Sequence, residues 1–391
     1  MSIEKKRQDI DLIDRQIVRL LAGRIKIARE IGREKKKLGR QITDNTREKQ
    51  VLEHIKALAA EEKLSPEDAE TIYRLIIAAT KGDEGHPESL QSENTFGQES
   101  GKVFVIIGGS GKMGQWLASR LLEEGKSVII TGRNRKKLLA AGKKLGVKTA
   151  TNIAAVKQAD IVIISVSIGS FTEVAAEIAP YIRPGQVVVD ITSVKTMPVD
   201  IMHKYFKKAR VLGIHPLFGP GAKSAANMNF VLTPTNKKET VLAQKVAAYL
   251  EARSARVTVM TPPEHDGMMK VILGLAHYIA LVSADTLSGL QNIKQMAAIS
   301  GITYKVLLTL IESVISEDPE LYATLQMSLP GLPELEERFQ QKAKEWAVLV
   351  RNRDNKQFIA RMNTIKSALE KNSVDFGKAY ANMYRLVEGL K

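Results

Sequence analysis

A short apolar strand running straight into a glycine-patterned turn leaves a chain few folds to choose from, and residues 103–114 have that pattern. Val103–Ile107 is apolar throughout. Gly109-Ser110-Gly111-Lys112-Met113-Gly114 follows it and opens onto Gln115-Trp116-Leu117. In a strand–turn–helix context the G-x-G-x-x-G spacing serves a dinucleotide. Glycines permit the tight turn and the close approach of backbone to a pyrophosphate, and the helix N-terminus offers free N–H groups and a positive dipole end. Gly109, Ser110, Gly111, Lys112, Met113 and Gly114 are therefore the expected cofactor cradle. A second strand, Ser127–Ile130, ends in Thr131-Gly132-Arg133-Asn134-Arg135. An NAD enzyme usually places an acid there for the ribose 2′-hydroxyl. Here Gly132 occupies the spot and arginines follow, so Arg133, and then Arg135, are expected to take a 2′-phosphate, favouring NADP over NAD.

Beyond the turn, apolar strands at Val128–Ile130, Ile161–Ser165 and Val187–Ile191 alternate with helical stretches. That alternation predicts a parallel sheet with helices on both faces. After Pro262-Pro263 the strand signals stop, and residues 264–391 read as helical with a break at Pro330-Gly331.

Residues 1–81 show helical periodicity alone. Ile10, Ile13, Ile17, Leu20 and Leu21 recur at spacings of three and four, one face of a helix. With no stop before Gly39, that helix is expected to run about 35 residues, long for a globular protein. A second helix starts near Asp44, and Ser65-Pro66-Glu67-Asp68 reads as the capped start of a third. Gly82–Gly101 holds five acids, four glycines, one proline and no Lys or Arg. Such a stretch buries too little apolar surface to order itself.

The expected architecture is therefore multidomain: an all-α N-terminal domain (1–82), a flexible acidic linker (83–101), an α/β dinucleotide-binding domain (102–262) and an all-α C-terminal domain for substrate binding and dimerisation (263–391). A length of 391 residues suits two or three domains.

The chain has no cysteine, which excludes disulfides, thiolate catalysis and thiolate metal sites; no metal is expected. Met1 to Arg7 is charged and lacks the apolar region of a signal peptide. The longest apolar run, Val271 to Ala284, is interrupted by His277 and reads as a buried core helix too short for a bilayer. A soluble cytoplasmic protein without a membrane partner is expected. The net charge of +15 is spread along the chain, with no zinc finger or aromatic RNA-binding motif. Charge alone does not decide between nucleic acid, small anionic substrates and a plain solvated surface; no nucleic-acid partner is expected.

Gly213-Ile214-His215-Pro216-Leu217-Phe218-Gly219-Pro220 is the most specific string. A histidine locked by a following proline at the end of an apolar strand is placed for chemistry. Imidazole titrates near pH ~6.5, so it can take a proton from a hydroxyl whose carbon is being oxidised.

This segment resembles the active-site strand of prephenate dehydrogenases. Asp190-Ile191-Thr192-Ser193-Val194-Lys195, Glu264-His265-Asp266 with Ala276-His277-Tyr278, and Asp318-Pro319-Glu320-Leu321-Tyr322 are similar to further segments of that family, over nearly all of residues 102–391. The resemblance implies a Rossmann-type domain and the oxidative decarboxylation of prephenate with NADP or NAD. It implies that His215 is the base for the ring hydroxyl, that Ser193 hydrogen-bonds that hydroxyl or His215, and that His277 lines the pocket. Many members have an arginine after the tyrosine of a later helix; this chain has Tyr304-Lys305. Lys305 supplies charge for a substrate carboxylate without the bidentate fork. An aminated substrate, arogenate, is the alternative.

The head has its own pattern. Arg24 and Lys35 are eleven residues apart, which puts them on one helical face about 16 Å apart, and Asp44 and Glu48 also share a face. Arg7, Arg24, Gly32, Lys35, and Asp44 through Arg47-Glu48 occur in an order that resembles the all-helical chorismate mutases across residues 3–81. The resemblance implies that Arg7 and Arg24 hold carboxylates, that Arg47 supports the carboxylate cluster, and that Lys35 meets the ether oxygen of chorismate. Asp44 and Glu48 would bind the hydroxyl, and Thr80 stands where serine is common. Glu84, which would need a proton to donate to the ether oxygen, implies a mutase that weakens as pH rises. Helices interlock between two chains in that family, so a homodimer is expected. A basic helical interaction module fused to a reductase is a distant alternative.

Overall fold

The computed structural model of the chain describes residues 3–37, 45–66, 68–70, 72–73, 76–77, 101–372 and 376–388. In the head, one helix runs Ile3–Lys37 and a second Asn45–Glu61. The long first helix is as expected. Its apolar stripe, Ile10, Ile13, Ile17 and Leu20, is exposed in the single chain, whereas the second helix buries Leu52, Ile55 and Ala59. Asp68 donates its backbone N–H to Ser65 Oγ at 3.2 Å, the cap that the serine indicated. Asp44, Thr80, Glu84 and the linker up to Ser100 lie outside the described residues, as do the side chains of Lys35 and Glu48.

The second region is a single eight-stranded sheet: β1 (Val103–Ile107), β2 (Ser127–Ile130), β3 (Lys148–Thr149), β4 (Ile161–Ile164), β5 (Val187–Asp190), β6 (Arg210–Pro216), β7 (Asn229–Thr233) and β8 (Arg256–Val259). The spatial order is β3-β2-β1-β4-β5-β6-β7-β8. Every neighbouring pair is parallel except β6 and β7, which are antiparallel. The near-continuous Val and Ile runs of β1, β4 and β5 follow from this, because a parallel strand is covered on both faces. Helices Lys112–Glu123, Arg135–Leu145 and Lys237–Glu251 close one core, and Asn152–Val156, Ile168–Ile178 and Thr196–Tyr205 close the other.

Three strands escape the sequence pattern. β3 has two residues, and β8 alternates apolar and polar at the sheet edge. The antiparallel β7 sits in a loop-rich stretch whose apolar run is brief.

After β8 the chain is helical, with a break at Gly331, whose φ is +70°. Pro262–Met269 continues through a π turn, Lys270–Leu275, into Ala276–Ser288. This corrects the expectation of a short buried core helix. The rod is 27 residues long, enough by length and composition alone to span a bilayer, and Val271, Ile272 and Val282 are exposed in the single chain. Sequence periodicity could not distinguish apolar side chains that face the chain's own core from those that face outward.

Candidate active site

The order of strands reverses about β1, with β2 to one side and β4 to the other. In open parallel sheets, ligands bind in the crevice beyond the strand ends at such a point. The glycine turn occupies that crevice. Gly108, with φ +81°, lies so close to β4 that an added Cβ would fall 2.1 Å from the Ser165 carbonyl oxygen. A Cβ on Gly109 would meet Ile130, and one on Gly114 would come within 2.6 Å of the Gly108 carbonyl oxygen. The turn is thus shaped by the absence of side chains, as a cradle for a pyrophosphate requires, and its residues fit a dinucleotide. Gly108, which stands just before the six-residue motif, completes the cradle. Gln115 donates to the Ser110 carbonyl at 3.0 Å and braces the turn. Gly132 faces Ser110, whose Oγ lies 2.4 Å from where a Cβ would stand; a side chain at 132 would require that hydroxyl to rotate away. Arg133 and Arg135 are exposed beside it. Lys112 points across to the helical region, with Nζ 2.8 Å from the Glu317 carboxylate.

His215 lies on the same edge of the sheet. Pairing carries Ile107 to Ile164, Ile164 to Asp190, and Asp190 to Gly213. His215 therefore stands two residues beyond the level at which β1 gives way to the glycine turn, three strand spacings or about 14 Å away. The residue is 4% exposed. Nδ1 meets His265 Nε2 at 2.8 Å, which leaves Nε2, on the other side of the ring, without a hydrogen-bond partner among the described residues.

Behind His215 lies a buried polar network. His265 Nδ1 is 2.8 Å from Asp266 Oδ1. The backbone N–H groups of Lys195 and Thr196 donate to the two oxygens of Asp266 at 2.8 and 2.9 Å. The fully buried Lys195 ammonium donates to Asp190 and, at 3.0 Å, to the carbonyl of Ile214. Thr192 N–H donates to the other Asp190 oxygen at 2.8 Å. This arrangement begins with Thr261, whose capping box with Glu264 starts the helix Pro262–Met269 and places His265 and Asp266 in its first turns.

The electrostatics follow from burial. Desolvation above all, with the Lys195 and His265 charges, lowers the pKa of His215 well below the ordinary imidazole value, against a smaller opposing effect of Asp266. The neutral ring is favoured, as a base requires. Burial raises Asp266, but hydrogen bonds from His265, Thr196 and Lys195 together outweigh it and hold the carboxyl below its usual range. Lys195 is lowered and Asp190 raised by burial, each offset by the other.

Ser193 is half-buried and makes no hydrogen bond to His215; His265 holds that ring nitrogen instead. His277 packs edge-to-face on Tyr322 at 4.8 Å, with Nδ1 buried and unpartnered. Burial lowers its pKa. Tyr304 Oη is likewise buried without a partner, while Lys305 is exposed. In the head, Arg7 is exposed beside Glu4, Arg47 donates to Gln50 at 3.3 Å, and Arg24 is half-buried. Sequence reasoning assigned no role to His265, Asp266, Asp190 or Lys195. The available signal was a His-Asp pair opening a helix directly after the last strand.

Three family models match: chorismate mutase type II over residues 6–84, the prephenate dehydrogenase nucleotide-binding domain over 117–259, and the prephenate dehydrogenase dimerization domain over 261–364. The chain belongs to the prephenate dehydrogenase family and carries a type II chorismate mutase at its head. It is 29% identical to a T-protein of Enterobacter agglomerans over 92% of this chain and 91% of that one. It is 36% identical to a probable arogenate/prephenate dehydrogenase of Methanocaldococcus jannaschii over 65% of this chain, spanning 58% of that relative's length. Among solved structures, Aquifex aeolicus prephenate dehydrogenase in complex with hydroxyphenyl propionate and NAD+ shares the fold. Its TM-score is 0.57 at 20% identity, covering 71% of this chain and all of that one.

Proposed function

We propose that the chain rearranges chorismate to prephenate in its head (residues 1–82) and oxidatively decarboxylates prephenate to 4-hydroxyphenylpyruvate in residues 102–391, in the service of tyrosine biosynthesis. The observation that carries the second reaction is His215 on the same sheet edge as a glycine cradle, with Nδ1 engaged by His265 and Nε2 left for a substrate. The nicotinamide, when bound at that turn, supplies the hydride acceptor. His215 accepts the proton of the ring hydroxyl as its carbon is oxidised. Departure of carbon dioxide from the opposite carbon leaves an aromatic ring, so the step runs one way. Ser193 and His277 line the pocket, and Lys305 meets a substrate carboxylate. What remains for the protein is alignment and proton removal.

The first reaction needs no nucleophile or proton transfer. Arg7 and Arg24 hold the two carboxylates with Arg47 in support, Lys35 and Glu84 address the ether oxygen, and Asp44 and Glu48 bind the hydroxyl, with Thr80 in the place of the family's serine, so that the compact conformer is held.

NADP is the proposed preference over NAD, because glycine rather than an acid stands at 132 and exposed arginines follow. A homodimer is proposed because the first helix and the 262–288 rod expose apolar stripes in the single chain. The rod opens the segment matched by the dimerization-domain model, so a second subunit, rather than a membrane, is proposed to cover it. A cytoplasmic location is the proposed setting. Arogenate is the second reading, favoured by lysine rather than arginine at 305.

The test is incubation with chorismate and NADP or NAD, following reduced cofactor and 4-hydroxyphenylpyruvate, with prephenate and arogenate compared directly. The His215→Asn chain is expected to accumulate prephenate. Oxidation at the wild-type rate by that variant would remove His215 from the role of base.

A further inference from the structure

An imidazole can accept a proton only at a nitrogen that lacks one, so the tautomer of His215 decides whether its substrate-facing side is reactive. The hydrogen bonds behind it fix that tautomer. Asp266, held ionised by the backbone N–H groups of Lys195 and Thr196, can only accept. The proton between it and His265 therefore belongs to His265 Nδ1. With one proton on the ring, His265 Nε2 is bare and must accept. The proton in the 2.8 Å contact with His215 then sits on His215 Nδ1, which leaves His215 Nε2 bare.

We propose that His265 and Asp266 are positioning residues that hold His215 as its Nδ1–H tautomer, presenting an unprotonated Nε2 to the substrate hydroxyl. This rests on His215 being the base. The arrangement resembles the orienting carboxylate of a hydrolase triad, extended by one imidazole. Asp266 is anchored by backbone amides at the start of helix Thr196–Tyr205, and Lys195 ties the Ile214 carbonyl to Asp190. Ring and strand are thus pinned from two elements. The charged and titratable groups facing His215 are Lys195, His265 and Asp266. A third proton, added to the two the pair already holds, is accommodated only by giving up the bare nitrogen.

The experiment uses the full-length chain with 15N-labelled histidine. There are six histidines, and the His215→Asn spectrum assigns the relevant one. At pH 8 the expected result is a protonated Nδ1 and an imine-type Nε2 at His215. His265→Leu is expected to lower kcat for prephenate oxidation by about 10- to 1000-fold, to shift the acid limb of its pH profile, and to leave KM and cofactor affinity within a few-fold. His265→Gln can accept from His215 and donate to Asp266 without titrating, and is expected to restore most of the lost kcat. Mutase turnover and Tm of the same samples report folding. An Nε2–H tautomer in the wild-type chain overturns the proposal even if His265→Leu fails to fold. So does a His265→Leu enzyme with the wild-type kcat and pH profile. An active His215→Asn enzyme removes the base itself, whereas an inactive His215→Asn beside an unaffected His265→Leu removes only the relay.

Discussion

Lys112 and Glu317 join the glycine turn to the helical region through two contacts, at 2.8 and 3.0 Å. Both side chains are partly exposed, so the pair adds at most about 1 kcal/mol to stability. Its importance lies in position, because the ammonium belongs to the turn where a pyrophosphate would lie. Glu317→Gln releases that charge. The expected outcome is dinucleotide binding tighter by about 2- to 5-fold, an electrostatic gain of under 1 kcal/mol, with Tm nearly unchanged. Isothermal titration with NADP and NAD checks both.

The glycine cradle allows a sharper test. Gly114→Ala drives a methyl against the Gly108 carbonyl at 2.6 Å, where backbone rather than a flexible side chain must yield. Cofactor affinity is expected to fall by more than about 10-fold and oxidation with it, since one lost backbone–phosphate contact is worth roughly 1.5 kcal/mol or more. Chorismate turnover in the same preparation should remain. Equal loss of both activities would indicate global unfolding instead.

His215→Asn tests the base directly. A positioned general base contributes typically 10²–10⁴-fold. Prephenate oxidation is expected to fall by about that factor at unchanged mutase rate, measured by cofactor reduction and by chorismate disappearance.

The pH dependence has a defined sign. Burial lowers the folded-state pKa of His215 well below that of the unfolded chain. The neutral base therefore persists below pH ~6.5, and kcat/KM should decline only in more acidic solution. The same shift means that the unfolded chain binds a proton first. This group's effect on stability is absent above the unfolded pKa, and stability falls as pH drops from about 6.5 towards the folded value. Tm measured from pH 8 to 5 and the pH–rate profile together test the sign.

Arg133→Ser should lower the preference for NADP over NAD by about 10-fold or more, the worth of one charge-assisted phosphate contact. Unchanged kcat/KM ratios for the two cofactors would exclude that arginine.

How much of this was legible along the chain depended on distance in sequence. The strand, turn and helix of residues 103–123 are continuous, so their spacing carried the cradle almost whole. Gly108 was missed because its need arises from the Ser165 carbonyl, on a strand that pairs with β1 only after folding. His215 announced itself through its proline and glycine neighbours. Its partner did not, since His265 stands fifty residues away and nothing local shows that a helix start will dock on the end of β6. The exposed rod was misread for a similar reason, as an apolar side chain reads alike whichever surface it meets.

The π turn at Lys270–Leu275 separates His265 from His277 on one continuous rod. Twelve residues at about 100° each would leave the second ring roughly 120° around from the first. The wider π turn unwinds part of that offset. The tautomer-setting ring and a ring of the proposed pocket therefore share a single shaft, whose outer side is the surface proposed to meet a second subunit. A slip or twist of that shaft would reach both rings at once, so a second subunit seated on its outer side would bear on both.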